Sequence, residues 1–215
     1  MLYASEQYEN SIKLHGNQEW GINCTGISLD LKKLLKKKSN IVEELTKGID
    51  FLYKKNKVSK YIGTAKLITP NKIEIINDND SEVINAKNII IATGSEPTHL
   101  PNINVDEKQI VTSTGALDLK EVPKKMIVIG AGVIGLEMGT VWRRLGSEVK
   151  VIEYLPRILP GMDNEIAEKF LKILQKQGLN FKLSHSVESS KSTNGKVELM
   201  IKNVENEELE KLEAD

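Results

Sequence analysis

Six consecutive residues, Gly130-Ala131-Gly132-Val133-Ile134-Gly135, carry the clearest chemical signal in the sequence. They follow the apolar run Met126-Ile127-Val128-Ile129 and open a stretch with helical spacing, so they mark a strand–turn–helix junction. Glycine at 130 permits a tight turn. Glycine at 132 removes a Cβ from the path of an incoming anion, and glycine at 135 lets the helix lie close to the strand. The first N–H groups of such a helix have no intrahelical partner and stand at the positive end of its dipole. A diphosphate is the anion that suits this geometry, and Gly139, one turn on, extends the close packing.

A second feature arrives where that geometry requires it. Glu153 ends the next apolar strand, Glu148–Glu153, 23 residues after Gly130. A carboxylate at this point accepts hydrogen bonds from ribose hydroxyls and repels a 2′-phosphate, so the pair of features favours NAD over NADP. Arg157, four residues further on, is in principle able to bind such a phosphate. The bland alternative is a glycine turn that serves packing only, with Glu153 solvated.

The elements that must position these residues follow from periodicity. From Lys124 the pattern is strand (126–129), helix (135–146), strand (148–153), helix (163–177) and short strand (181–183), with Asp163 as N-cap and Gly178 as stop. Further strands are expected at 187–190 and 196–202, while the acidic stretch 203–215 is expected to form no complete element. Upstream, residues 1–14 read as helix and 16–27 as loop with a short strand. A longer helix runs from an N-cap at Ser28 towards Asn56, with Leu31, Leu34, Leu35, Ile41, Val42, Leu45, Ile49 and Leu52 at core spacing. Within it, Lys36-Lys37-Lys38 reads as a solvated face. The period then falls to two. Strands are expected at 58–63, 65–68, 72–76, 82–85 and 88–92, the last apolar on both faces as in a covered parallel layer. Residues 96–123, with Pro97, Pro101 and Pro123, read as a connection between domains.

Composition removes several function classes. The chain has 215 residues, 30 basic and 30 acidic side chains and a net charge of +0, so no global field attracts nucleic acid. No apolar run approaches the ~20 residues of a membrane span, and the N-terminus shows no secretory pattern. The single cysteine, Cys24, can form no internal disulfide. His15, His99 and His185 lack metal-ligand spacing and read as surface or loop residues. No catalytic acid, base, nucleophile or metal ligand is assigned.

The run from Lys125 to Glu137 resembles the flavin-dependent pyridine nucleotide–disulfide oxidoreductases, and Ile89-Ile90-Ile91-Ala92-Thr93-Gly94-Ser95-Glu96-Pro97 matches a second motif of that family. Thr112-Ser113-Thr114-Gly115-Ala116-Leu117 and Leu174-Gln175-Lys176-Gln177-Gly178 are similar to its dihydrolipoamide-oxidising branch. The resemblance implies an α/β fold: a Rossmann-like NAD-binding domain, three-layered with a parallel sheet and a β-meander, plus a partial FAD-binding domain. The implied boundary gives residues 1–121 to the FAD part and 122–215 to the NAD domain, lacking its last strand. Gly130, Ala131, Gly132, Val133, Ile134, Gly135, Leu136 and Glu137, with Glu153, would hold NAD, and the backbone of Val187 would meet the adenine. Glu137 would either lie near the nicotinamide and flavin rings or pair with a nearby lysine. Gly63, Thr93, Gly94 and Ser95 would contact FAD.

The implied reaction is oxidation of dihydrolipoamide, carried on lipoyl domains of 2-oxoacid dehydrogenase or glycine cleavage complexes, by NAD through a redox disulfide and FAD. The full-length relatives are homodimers of the bacterial cytoplasm or the mitochondrial matrix. They also carry an N-terminal FAD-binding glycine motif, a Cys-x4-Cys pair and a C-terminal domain with catalytic His and Glu. None of these occurs here, so an internal section, inactive alone, is expected. A non-catalytic NAD-binding fragment or gene remnant stays open, as does another flavoprotein disulfide reductase.

Overall fold

The computed structural model describes residues 1–16, 19, 21, 26–78, 80–193 and 195–215. The chain divides into two compact units, 1–38 with 97–215, and 39–96. This division differs from a boundary at 121/122, because the N-terminal helix and the connecting segment pack with the glycine-turn region.

In chain order the elements begin with helix α1 (Leu2–Gly16) and helix α2 (Leu31–Lys55). Asp30, not Ser28, starts α2: its Oδ1 accepts from the Lys33 N–H at 2.9 Å and its carbonyl from Leu34 at 3.1 Å. Of the eight apolar residues at core spacing only Leu35 is buried, while Leu45, Ile49 and Leu52 are each more than half exposed. Lys36 and Lys37 are solvated, and Lys38 pairs with Asp118 at 2.6 Å.

The 39–96 unit continues with β1 (Thr64–Thr69), β2 (Lys72–Ile76) and β3 (Ser81–Asn85), an antiparallel meander in that order. The turn after β1 is braced by Asn71, whose side-chain amide donates to the carbonyls of Ala86 and Lys87 at 2.9 and 3.1 Å. Two expected strands are absent. Residues 58–63 are irregular, because the chain leaves α2 through Lys57 at φ +54° with the Val58 N–H still bonded to the Tyr53 carbonyl. Residues 88–92 form no strand either, and Ile90 and Ile91 are 89% and 71% exposed. A run apolar on both faces needs a neighbouring strand and two covering layers; no described strand pairs with it.

The other unit adds α3 (Ser113–Ala116), β4 (Lys125–Ile129), α4 (Val133–Leu145), β5 (Glu148–Ile152), α5 (Asn164–Lys176), β6 (Asn180–Lys182) and the strands β7 (His185–Thr193), β8 (Lys196–Asn203) and β9 (Leu209–Ala214). β4, β5 and β6 form a parallel sheet in that order, with Val128 opposite Val151 and Ile129 opposite Ile152. The pleat divides each strand between two cores. Val149 and Val151 face the helical side with Leu136, Val141, Trp142, Leu174 and Leu179, and Met126 and Val128 pack against that cluster. Ile152 points the other way, into a cluster with Leu199, Ile201 and Leu212 of the antiparallel sheet β7-β8-β9, joined by Ile127 and Val187. Helices, the parallel sheet and the antiparallel meander β7-β8-β9 are thus three layers, as expected for a Rossmann-like α/β domain.

Local signals account for the ends of these elements. Asp163 caps α5 by accepting from the Ile166 N–H at 3.1 Å, and Gly178 at φ +96° stops it. Trp142 is fully buried, and its indole N–H donates to the Ala116 carbonyl at 3.1 Å, which ties α3 to α4. α1 lies on α4, where Glu9 pairs with Arg143 and, at 3.7 Å, with Arg144. β9 corrects the expectation that 203–215 forms no element. Its acidic composition conceals an alternation that puts Leu212 and Ala214 inside, and Lys211 pairs with Glu198 across the strands. Beyond it, Asp215 bonds the Lys125 backbone through its N–H (3.2 Å) and its carboxylate (2.9 Å).

Candidate nucleotide-binding site

The glycine turn joins β4 to α4 at the carboxyl end of the parallel sheet. Gly130 has φ +99°, a conformation that disfavours a side chain, and its N–H donates to the Ile152 carbonyl at 2.8 Å. Gly132 is the N-cap of α4 with ordinary extended backbone, φ −75° and ψ 177°, so conformation does not require glycine there. Nothing lies within 4 Å of where its Cβ would be, and no side chain caps the helix. The first N–H groups of α4 therefore remain open to a ligand. Gly135 does need to be glycine: a Cβ there would overlap the Gly130 carbonyl oxygen. At Gly139 a Cβ would only touch Leu179 and Val149, each at 3.4 Å.

Glu153 is built into this turn rather than merely placed beside it. Its Oε2 accepts from the Ala131 N–H at 2.7 Å and its Oε1 from the Leu155 N–H at 2.9 Å. Its own backbone is fixed as well: its N–H donates to the Lys182 carbonyl and its carbonyl accepts from the His185 N–H, both at 2.9 Å. A carboxylate has about four lone-pair sites, so two remain for ribose hydroxyls. Arg157 is occupied elsewhere. Its guanidinium donates to the Met162 carbonyl at 2.7 Å and to Asn164 Oδ1.

A cavity of about 230 Å³ opens beside the turn, walled by Leu100, Ile129, Gly130, Ile152, Glu153, Tyr154, His185, Ser186 and Val187. The expected positions Gly130, Glu153 and Val187 thus meet round one hollow at the sheet's carboxyl end. Val133 and Ile134 are exposed on the first turn of α4. Ala131 and Leu136 belong to the core instead. The Ala131 methyl is fully buried with its N–H on Glu153 and its carbonyl accepting from Leu159, and the Leu136 N–H goes to the Gly132 carbonyl. These two shape the turn and offer a ligand no free polar group. Glu137 is exposed and makes no ion pair with a described residue.

Of the nine wall residues only Gly130, Glu153 and Val187 were expected from the sequence as site residues. Tyr154, His185 and Ser186 follow strand ends, where ligands of such sheets bind, and that rule could have flagged them; Leu100 sits in an aperiodic segment that carries no signal. His185 is half-buried, with Nδ1 2.6 Å from the Leu183 carbonyl, which corrects its reading as a surface or loop residue. His15 lies in the last turn of α1 and His99 is exposed. Cys24 lies outside the described residues.

The residues expected to contact FAD lie in the 39–96 unit. Gly63, at φ +153°, has a structural reason to be glycine: a Cβ would press on Asn77 and stand 2.7 Å from the Ile76 carbonyl oxygen. Thr93, Gly94 and Ser95 are exposed, irregular and make no hydrogen bond to a described residue, and Gly94 has φ +78° with open space around it. Three of the four thus have free polar groups for a ligand, but they form no built cradle.

Fold and turn together define a Rossmann-like dinucleotide-binding architecture, and the chain belongs to the pyridine nucleotide-disulphide oxidoreductase family, whose profile matches residues 3–215. It is 48% identical to the mitochondrial dihydrolipoyl dehydrogenase of Dictyostelium discoideum over 95% of this chain and 42% of that protein. It is 46% identical to dihydrolipoyl dehydrogenase 1 of Arabidopsis thaliana (all of this chain, 42% of the relative). With dihydrolipoyl dehydrogenase 3 of Pseudomonas putida the identity is 45%, over all of this chain and 46% of the relative. A solved structure of the HOCl-induced flavoprotein disulfide reductase RclA from Escherichia coli, a copper(II) complex, superposes with TM-score 0.73 at 25% identity. It matches 85% of this chain and 41% of that one. The chain therefore spans roughly two-fifths of the length of the curated relatives it matches. Among the described residues no helix is long and apolar enough to cross a membrane.

Proposed function

We propose that this chain is the NAD-holding section of a dihydrolipoamide-oxidising flavoprotein. The observation that carries the reading is the Glu153 carboxylate, held 2.7 Å from the Ala131 N–H of the glycine turn and lining the adjoining cavity. In this arrangement the open N–H groups of α4 take the diphosphate, Gly132 leaves it room, and the free lone pairs of Glu153 take the ribose hydroxyls. The adenine lies against Val187. Bound NAD supplies a hydride acceptor, and this chain's residues bind and orient it. Thr93, Gly94 and Ser95 are the groups proposed to meet FAD, with Gly63 contributing through packing.

The dithiol step needs a cysteine pair that these 215 residues do not hold, so the substrate chemistry is proposed of the longer protein. Its substrate would be dihydrolipoamide on lipoyl domains of 2-oxoacid dehydrogenase or glycine cleavage complexes. Its state would be a homodimer, and its compartment the bacterial cytoplasm or the mitochondrial matrix. A second reading, a nucleotide-binding fragment without chemistry, draws support from the exposure of Ile90, Ile91 and the apolar face of α2.

The test is the melting temperature of the chain with saturating NAD and, separately, NADP. At about 100 times the dissociation constant NAD adds about 2.7 kcal/mol, a rise of roughly 5–10 °C. A rise with NAD alone is expected; no rise with either nucleotide overturns the reading.

A further inference from the structure

The segment between Glu153 and α5 meets the glycine turn at Ala131, and the Arg157 side chain braces it. Arg157 is half-buried and makes no ion pair with a described residue. Its guanidinium turns back into the segment that follows. The contacts to the Met162 carbonyl (2.7 Å) and to Asn164 Oδ1 carry the arrangement, while those to the carbonyls of Ile158 and Leu159, at 3.4 and 3.3 Å, are long. Inside this brace Ile158 and Leu159 are buried in the helical core. Leu159 adopts φ +49°, a left-handed conformation unfavourable for a leucine, and persists in it because its surroundings fix it.

What the brace delivers is the Leu159 N–H, which donates to the Ala131 carbonyl at 3.0 Å. The other face of the same residue donates its N–H to Glu153. The peptide groups on both sides of Ala131 are therefore pinned, one by the carboxylate proposed to read the ribose and one by the Arg157-braced segment. We infer that Arg157 is a positioning residue for dinucleotide binding: it fixes the glycine turn through Leu159 and Ala131, and does not touch the nucleotide's phosphates itself. This inference rests on the NAD reading for its ligand but not for its mechanics.

Two variants of the 215-residue chain test it, Arg157→Ala and Arg157→Lys, with NAD affinity by calorimetry and amide hydrogen exchange without ligand. Arg157→Ala is expected to weaken NAD about fivefold, the scale of one ordinary hydrogen bond, and to speed exchange at Leu159 and Ala131. Lysine keeps the charge but cannot span Met162 and Asn164 in a fixed fork, so Arg157→Lys is expected to behave like the alanine variant. Full recovery of NAD affinity in Arg157→Lys would show that only charge matters and would overturn the inference. So would unchanged exchange at Leu159 and Ala131, or a loss confined to NADP. If the unaltered chain binds neither nucleotide, the functional reading fails, and the exchange data alone decide whether Arg157 braces the turn.

Discussion

Gly135 lies so tightly beneath Gly130 that a Cβ on the first would overlap the carbonyl oxygen of the second and stand 3.2 Å from Val128 Cγ1. Gly132, three residues before Gly135, has empty space where its Cβ would go. One motif thus contains glycines of two kinds, and substitution separates them. Gly135→Ala forces α4 away from backbone that cannot yield and is expected to destabilise the chain by about 1–3 kcal/mol in denaturant unfolding. Gly132→Ala leaves stability within about 0.5 kcal/mol, yet lowers NAD affinity in calorimetry because a methyl now occupies the diphosphate's approach.

Glu153→Ala removes both the proposed ribose acceptor and the bonds to Ala131 and Leu155. NAD affinity is expected to fall roughly tenfold, with NADP harmed less or even improved. Equal weakening of the two nucleotides in a competitive titration would mean that Glu153 only holds the turn.

Glu9 governs the docking of α1 on α4. Its side chain is 13% exposed and those of Arg143 and Arg144 are 17% and 14% exposed. Partial burial pushes the Glu9 carboxyl up, but the hydrogen bond and charge of Arg143, with Lys13 adding to them, hold it below its ordinary value. A depressed folded pKa contributes stability above the unfolded value, near 4.3, which is lost as pH falls through the folded one. Amide protection along α1 is expected to weaken below about pH 4. Glu9→Gln should flatten that dependence and destabilise the chain by about 2 kcal/mol at neutral pH, since it leaves two largely buried guanidinium groups without their anion. A pH profile identical in both proteins would rule out this role.

Leu45, Ile49 and Leu52 make an exposed apolar stripe on α2. Leu45→Glu is expected to change the unfolding free energy by less than about 0.5 kcal/mol while raising the concentration at which the chain precipitates. A loss of several kcal/mol would place the stripe in a core.

The glycine-turn region was legible because each of its signals is local. An alternating or apolar strand, a glycine with a geometric duty, Asp163 as a cap and Gly178 as a stop all act within a few residues. The same reasoning failed where an element depends on something distant. Ile89-Ile90-Ile91 has the composition of a covered strand, but composition supplies no neighbour, and the segment stays irregular. α2 has the spacing of a packed helix with nothing described over its second half. In the other direction, β9 was hidden by its charges, although Leu212 and Ala214 alternate to the buried side, opposite Leu199 and Val197. In the site, Glu153 was identifiable from its distance along the chain. The bracing by Arg157 was not, because carbonyl partners leave no mark on residue types.

The fixing of Glu153 on both its backbone sides has a thermodynamic consequence. Its N–H ends on Lys182 and its carbonyl on His185, the first residue of the meander. A ligand held by the carboxylate therefore favours states in which β7 is seated. Mass action makes the meander a reporter: nucleotide at about 100 times its dissociation constant would raise the free energy for unzipping β7 from the sheet by up to about 2.7 kcal/mol. Opening of a strand that carries no catalytic group would then be a measure of how full the site is.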